Sequence, residues 1–190
     1  MRPLPTHSRP RSMISDITVY RIPEPAEASA TVPVGDVFHA TYRDGAHDAE
    51  SLLVTPQGHL LIVTKGDTGA VALYGFPTEL RTGTTLRLER LGGPREAGRP
   101  AESDRITDGA TSPRGQWIVL RSRHALTFYR AADLLNGTRR EAGRAALTAL
   151  DEPQGEGVTF GSDNSVYLMG EGGGKARPGT FARLTCTLTP

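Results

Sequence analysis

One motif of seven residues recurs four times along this chain and constrains its fold more than any other feature. The intervals between equivalent Tyr or Arg residues of successive copies are 54, 55 and 53 residues. Repetition at so constant a period indicates a repeat protein, in which each unit buries its apolar faces against its neighbours. The copies of this recurring motif are ITVYRIP at 17–23, VALYGFP at 71–77, ALTFYRA at 125–131 and TFARLTC at 180–186.

A second pattern, typical of a β-hairpin, lies between successive copies of the recurring motif. It spans 50–65, 108–122 and 156–171, and it places a two-residue polar centre between runs rich in Val, Ile, Leu and Tyr. With the recurring motif and a fourth run, such as 84–91 or 144–150, each repeat contains four strands, as a propeller blade does. The sequence therefore predicts an all-β fold: a partial β-propeller of about three and a half four-stranded antiparallel blades of about 54 residues.

The number of blades raises a question about domain organisation. Propellers close with at least four blades, because closure removes exposed strand edges. We therefore expect this chain to be the C-terminal part of a longer propeller, whose open edges need the missing blades or self-association to cover them. The alternative is a complete protein that dimerises or forms an open stack of sheets. The predicted divisions are a disordered segment at 1–16 and a partial propeller domain at 17–190, comprising the end of a first blade at 17–49, blades at 50–105 and 106–152, and a last blade at 153–190.

Charge and composition exclude several classes of function. The 22 Lys and Arg residues nearly balance the 21 Asp and Glu residues, and the Arg residues are spread along the chain, which argues against a nucleic-acid partner. The sequence contains no run of 18 apolar residues, so it predicts no transmembrane segment, and the N-terminus lacks the apolar core of a signal peptide. The single cysteine, Cys186, excludes an internal disulfide and a thiolate metal cluster.

The open ends of the hairpins are the predicted functional site, because in a propeller they would converge on one mouth of the central channel. A turn centred between 57 and 58 would place Glu50 opposite Lys65. A turn centred between 163 and 164 would place Glu156 opposite Glu171, and two facing carboxylates require a cation or a raised pKa. Glu171 is also expected to swing into water on the glycine-rich loop at 170–175.

The middle hairpin departs from this arrangement. Asp108 and Arg121 lie one residue nearer their turn than the charged pairs of the other two hairpins do. Their side chains would therefore point to the other face of the sheet unless a bulge intervenes. The candidate ligand-binding residues at the channel mouth are His47, Asp48, Glu50, Lys65, Asp108, Arg121, Gln154, Glu156 and Glu171.

These residue types suit two kinds of ligand. Carboxylates at Glu50, Glu156 and Glu171 would provide oxygen ligands for Ca²⁺. Lys65 and Arg121 would instead pair with an anionic group on a small polar or phosphorylated ligand. A third interpretation is that the charges are solvated rim residues that pair with one another. No certain cofactor follows from the sequence.

Several phrases resemble those of bacterial exported β-propellers grouped with esterase-like, phytase-like and WD40-like proteins. The phrases that carry the resemblance best are HDAESL at 47–52 and PQGEGV at 153–158, and the likeness extends over about 17–186. It implies acidic residues gathered at the channel mouth, further blades upstream, and secretion or lipoprotein anchoring, with an extracytoplasmic location for the full-length protein. The positions that it touches are Asp48, Glu50, Lys65, Asp108, Glu156 and Glu171.

Two functions of different class remain open from the sequence. The first is a binding scaffold that holds a small polar ligand or a protein at the loop-lined mouth, without catalysis. The second is a Ca²⁺-dependent phosphoester or ester hydrolase, in which Glu50, Glu156 and Glu171 hold the cation and Lys65 with Arg121 binds the phosphate. Because the residues identify no pair of nucleophile and base, the scaffold is the preferred hypothesis and enzymatic activity is left uncertain.

Overall fold

The computed structural model describes residues 14–25, 27, 31–94, 98–173 and 177–188. The described residues form an all-β structure, as predicted, with a single short α-helix. Most of the segment predicted to be disordered, 1–16, lies outside the described residues, as do the last two residues of the loop at 170–175. The elements are β1 (Asp16–Arg21), β2 (Asp36–Thr41), β3 (Ala49–Val54), β4 (Leu60–Thr64), β5 (Leu73–Gly75), β6 (Thr85–Arg87), β7 (Glu89–Gly92), β8 (Ile106–Thr111), β9 (Trp117–Ser122), β10 (Ala125–Arg130), α1 (Ala131–Leu135), β11 (Glu141–Ala146), β12 (Gln154–Phe160), β13 (Val166–Glu171) and β14 (Thr180–Leu184).

The strands of the described chain are arranged in four sheets of three or four strands. The first sheet has the order β1-β2-β6, the second β3-β4-β5-β7, the third β8-β9-β10-β11 and the fourth β12-β13-β14. Every copy of the recurring motif contains a strand or most of one, and in the second, third and fourth sheets that strand is the third one: β5, β10 and β14. No helix in the described ranges is long and apolar enough to cross a membrane.

The run at 84–91, predicted to be one fourth strand, is shared between two sheets. Its first half, β6, pairs in parallel with β2 of the first sheet, and its second half, β7, pairs antiparallel with β5 of the second sheet. Leu88, between the two halves, is fully buried, and its N–H donates to Thr41 O at 2.9 Å. The burial of Leu88 holds the run at the junction of the two sheets, so that the run serves both.

Each adjacent pair of sheets encloses its own hydrophobic core. Phe38 of β2 packs with Tyr74 of β5 between the first two sheets, and Leu53 of β3 packs with Ile118 of β9 between the second and third. Trp117 of β9 belongs to the core between the third and fourth sheets. Because burying each large side chain contributes about 1.5–3 kcal/mol, these cores hold the sheets in a row that follows the chain order. The first strands β3, β8 and β12 consequently lie side by side, with β8 in contact with both others.

The three predicted hairpins are confirmed, but the predicted register of the outer two is wrong by one residue. In the first hairpin Val54 pairs with Leu60, and Thr55 N–H donates to His59 O at 3.0 Å, which closes a loop of three residues. The third hairpin closes in the same way between Gly161 and Ser165. A loop with an odd number of residues shifts every cross-strand pair by one residue, relative to a hairpin whose turn has two residues at its centre.

A left-handed backbone conformation at the last loop residue makes these three-residue loops possible. Gly58 has φ +81° and Asn164 has φ +62°, and glycine and asparagine are the residues that adopt this conformation most readily. The middle hairpin has a four-residue loop between Ser112 and Trp117, so its register is the predicted one, with Asp108 opposite Arg121.

Candidate functional site

The first strand of each hairpin contains a β-bulge at the same position. The ladder between β3 and β4 passes from Ala49 directly to Ser51, and the ladders of β8 and β12 skip one residue in the same manner. The skipped residues are Glu50, Thr107 and Glu156. A bulge turns a side chain away from the regular alternation of a strand, and bulges are common beside functional sites. Because the three strands are neighbours, the bulges bring Glu50, Thr107 and Glu156 together along the wall of one cavity.

That cavity, which we call the carboxylate cavity, has a volume of about 600 Å³. Four of the predicted site residues line it, two of them through the bulges. Its described lining consists of Glu50, Thr107, Asp108, Glu156, Gly157, Met169, Gly170 and Glu171.

A second cavity of about 400 Å³, the charged cavity, shares Thr107 and Glu156 with the first. Its lining contains both acidic and basic side chains. The buried Arg105 lies 2.7 Å from Asp67, and Nη2 of the exposed Arg123 donates to Pro153 O at 3.1 Å. Its lining is formed by Asp48, Lys65, Asp67, Glu102, Arg105, Thr107, Arg123, Gln154, Gly155 and Glu156.

Lys65 and Glu50 form an ion pair, although the register does not place them opposite each other. Lys65 Nζ donates to Glu50 Oε1, and Lys65 N–H donates to Asp48 O at 2.8 Å. Burial raises the pKa of Glu50, and the charges of Asp48 and Glu156 raise it further, against the opposing effect of Lys65. Burial lowers the pKa of Lys65, but Glu50, Asp48 and Asp67 together outweigh burial, and the net shift of the pKa is upward. The cluster of Asp48, Glu50, Glu156 and Lys65 therefore contains three carboxylates and one ammonium group.

Asp108 joins the third sheet to the fourth. Its Oδ2 accepts a hydrogen bond of 2.7 Å from the N–H of Val158 on β12. Burial raises the pKa of the Asp108 carboxyl, although the N–H groups of Val158 and Gly109 act in the opposite direction. A β-bulge at Thr107 lies next to Asp108, where the sequence analysis allowed for one.

Arg121 lies in the protein interior, outside the described linings of the two cavities. Its side chain is fully buried and pairs with Glu152, whose side chain is 3% exposed. Nη1 also donates to Gly157 O at 2.6 Å and to Met169 O at 3.0 Å. Burial lowers the pKa of the guanidinium, opposed chiefly by Glu152. Because these contacts use its terminal nitrogens, Arg121 connects the third and fourth sheets and does not present an anion-binding group at the mouth.

Glu156 and Glu171 do not face each other as predicted. Glu171 pairs with Gln154 in the ladder, because the three-residue loop and the bulge displace Glu156. Gln154 Nε2 donates to Glu156 Oε1. No group of three or more His, Cys, Asp or Glu side chains within the described ranges is arranged to hold a metal ion. The predicted calcium ligands Glu50, Glu156 and Glu171 therefore share the carboxylate cavity without forming a metal cage there.

His47 belongs to a different cluster, between the first and second sheets. Its Nε2 lies 3.1 Å from Asp44 Oδ1 and 3.0 Å from the Tyr74 hydroxyl, which donates to Asp44 Oδ2 at 2.7 Å. The Tyr42 ring packs edge-on against both His47 and Tyr74, with centroids 4.8 Å away in each case. Burial raises the pKa of Tyr42 to about 12. This cluster attaches the segment before β3 to the second sheet.

Seven of the nine predicted residues line the carboxylate or the charged cavity: Asp48, Glu50, Lys65, Asp108, Gln154, Glu156 and Glu171. The sequence pattern did not indicate Arg105, Thr107 or Arg123, which also line the charged cavity. When the repeats are aligned on their bulges, Arg105, Thr107 and Arg123 occupy the positions of Asp48, Glu50 and Lys65. Alignment on the polar centres of the hairpins had hidden this equivalence, because the loops differ in length.

Two comparisons address the identity of the chain. With no match among protein-family models and none among curated proteins, the resemblance to exported β-propellers stays a prediction.

Proposed function

We propose that this chain is a non-catalytic binding module with the blade arrangement of a β-propeller, and that it holds a small cationic ligand where the charged and carboxylate cavities meet. The repeat of about 54 residues, the row of sheets and the adjacent first strands support the blade arrangement. The observation that carries the site is the set of three equivalent bulges, at Glu50, Thr107 and Glu156. An extracytoplasmic location, as in the proteins that the sequence resembles, is part of the same proposal.

The charges favour a ligand with an ammonium or guanidinium group. Asp48, Glu50 and Glu156 lie close enough for two of the carboxylates to raise the pKa of Glu50. Of the basic side chains that line the charged cavity, Lys65 pairs with Glu50, Arg105 pairs with Asp67, and Arg123 donates to Pro153 O. A second cation between these carboxylates would reduce their repulsion and would form charge-assisted hydrogen bonds. Arg121, one of the two predicted anion partners, is occupied by Glu152 and by carbonyl groups, so a phosphorylated ligand has less support.

The hydrolase remains the alternative hypothesis, without a specific observation in its favour. It requires three carboxylates around Ca²⁺ and two cations for the phosphate. The described carboxylates do not form such a group, and Arg121 is buried. We therefore base the first experiments on the binding module.

Isothermal titration calorimetry with agmatine, putrescine, glucose and inorganic phosphate tests the proposal. We expect the two amines to bind, and Glu156→Gln to weaken amine binding by about tenfold or more, because a hydrogen bond to a charged group contributes about 1.5–3 kcal/mol. Glu89→Gln, an exposed position on β7, makes the same change of charge elsewhere and is the matched control. Binding of phosphate without amine binding, or equal amine affinity in Glu156→Gln, would contradict the proposal.

Thermal melts in excess Ca²⁺ and in chelator distinguish the alternative. A ligand that binds only the folded state raises its stability by RT ln(1 + [L]/Kd). The binding module predicts the same melting temperature in both buffers. A rise of several degrees in Ca²⁺ that Glu156→Gln abolishes would favour the hydrolase instead.

A further inference from the structure

A third cavity, which we call the apolar cavity, lies between the first and second sheets and has a volume of about 340 Å³. Apolar side chains of β1, β3 and β4 form much of its wall, among them Ile17, Val19, Leu52 and Ile62. Small-molecule sites have volumes of about 300–1,000 Å³, with apolar walls and a few polar groups. Since an apolar cavity of about 150 Å³ holds one benzene molecule, the apolar cavity has room for one or two fused rings.

One polar group on this wall, the hydroxyl of Tyr42, is buried and has no hydrogen-bond partner within the described chain. The Tyr42 residue is 8% exposed. Its ring packs edge-on against His47 and Tyr74, and the polar groups of those two residues are paired with each other and with Asp44. Buried donors without an acceptor are costly and rare in native proteins. A molecule bound in the apolar cavity would supply the partner that the Tyr42 hydroxyl lacks.

The charges around the Tyr42 hydroxyl favour a neutral partner. Burial and two neighbouring aspartates raise the pKa of Tyr42 to about 12, so the hydroxyl keeps its proton at pH 7 and donates it to an oxygen acceptor. Glu50 and His47 also line the apolar cavity, but Glu50 is paired with Lys65 and His47 with Asp44. An anionic ligand would meet the negative charges of Glu50 and the aspartates, which disfavours it.

The hydroxyl of Ser51 is also buried without a partner in the described part of the chain, but it belongs to the other face of β3. Ser51 pairs across the strands with Val63, which packs in the core between the second and third sheets. Leu52 pairs with Ile62, which packs in the core between the first and second sheets. Because side chains alternate along a strand, Ser51 is turned away from the apolar cavity, and the argument depends on Tyr42.

We propose that the apolar cavity binds a small neutral molecule of one or two fused rings, whose hydroxyl or carbonyl oxygen accepts a hydrogen bond from Tyr42. The rings would lie among Ile17, Val19, Leu52 and Ile62, and the oxygen would complete the one unpaired group that these side chains leave beside them. The apolar cavity shares Glu50 with the carboxylate cavity. The inference nevertheless goes beyond the proposed function and does not depend on amine binding.

Isothermal titration calorimetry at pH 7 with 2-naphthol and naphthalene tests the hydrogen bond, because these probes differ only in the hydroxyl group. We expect the parent to bind 2-naphthol about three- to tenfold more tightly than naphthalene. Tyr42→Phe keeps the ring and removes the unpaired hydroxyl, so it should bind both probes equally and melt at or above the temperature of the parent. Tyr167→Phe, on the fourth sheet, makes the same change elsewhere and should keep the preference for 2-naphthol.

Two substitutions on β3 test the location. Leu52 and Val54 are 43% and 51% exposed and lie on the same face of the strand, but of the two only Leu52 lines the apolar cavity. Leu52→Trp should fill the cavity and weaken the binding of both probes by about tenfold or more, whereas Val54→Trp should leave the parental affinities.

Circular dichroism checks that each variant is folded, and Leu52→Phe replaces Leu52→Trp if the larger side chain prevents folding. The folded parent could fail to bind either probe, or bind the two equally. The preference for 2-naphthol could persist in Tyr42→Phe, or the substitution at Leu52 could leave the affinities unchanged. Each of these four results would overturn the proposal.

Discussion

The buried pair of Arg121 and Glu152 provides the strongest test of how the third and fourth sheets are joined. Glu152→Gln removes the negative charge and nearly preserves the shape, so the buried guanidinium remains without its counterion. Removing one partner of a buried pair costs about 3–5 kcal/mol. For a chain of this length each kcal/mol lowers the melting temperature by about 2–4 °C, so we expect a decrease of about 6–20 °C.

Asp151→Asn is the matched control, since it makes the same change of charge in the adjacent residue. The Asp151 side chain is 90% exposed and pairs with Arg177 at 2.9 Å on the surface. Asparagine also tolerates the left-handed backbone at this position, where φ is +47°. An exposed pair contributes less than about 1 kcal/mol, so this variant should melt within about 4 °C of the parent.

The assay is urea unfolding at pH 7, followed by circular dichroism, together with thermal melts of the parent and both variants. Equal m-values would show that the variants unfold the same surface, so that the midpoints report stability. If Glu152→Gln were no less stable than Asp151→Asn, the guanidinium would not depend on its buried counterion and the reasoning would be refuted.

Three further outcomes are expected. Asp108→Asn should retain most of the stability, because its amide oxygen still accepts from Val158 N–H, whereas Asp108→Ala should cost about 1–3 kcal/mol in urea unfolding; equal losses would contradict this role. Gly58→Ala should cost about 1 kcal/mol because φ is +81°, whereas Gly143→Ala, with open space around its Cβ position, should be neutral in the same assay. Burial raises the pKa of Asp44, but its other interactions, chiefly the hydrogen bonds with Tyr74 and His47, lower the pKa more. The contribution of Asp44 to folding stability is therefore present above the usual pKa of 3.8 and is lost as pH falls through the lower pKa of the folded state. Asp44→Asn should flatten the acid limb of the curve of stability against pH, and an unchanged limb would exclude this effect.

Gly155 illustrates a requirement that only the packing reveals. A Cβ at this position would lie 2.8 Å from Cζ of Arg121, so glycine leaves the space that the guanidinium occupies. In the sequence, the same glycine belongs to PQGEGV and reads as part of an acidic, glycine-rich strand. Nothing in the local pattern indicates that an arginine from 34 residues earlier fills the space beside it.

Sequence alone determined the strands and hairpins of this protein and indicated most of the acidic residues that line its two cavities, because these depend on local alternation, turn residues and a repeat period. Seven of the nine predicted site residues line the two cavities for that reason. The register of the outer hairpins could be seen only in the structure, because the sequence does not show whether Gly58 and Asn164 adopt the left-handed backbone that makes each loop three residues long. The tertiary structure alone showed that Arg121 is buried in the interior and that Thr107 lies at a bulge in the cavity wall. Both depend on how one sheet packs against the next, and the sequence of a single repeat does not specify that packing.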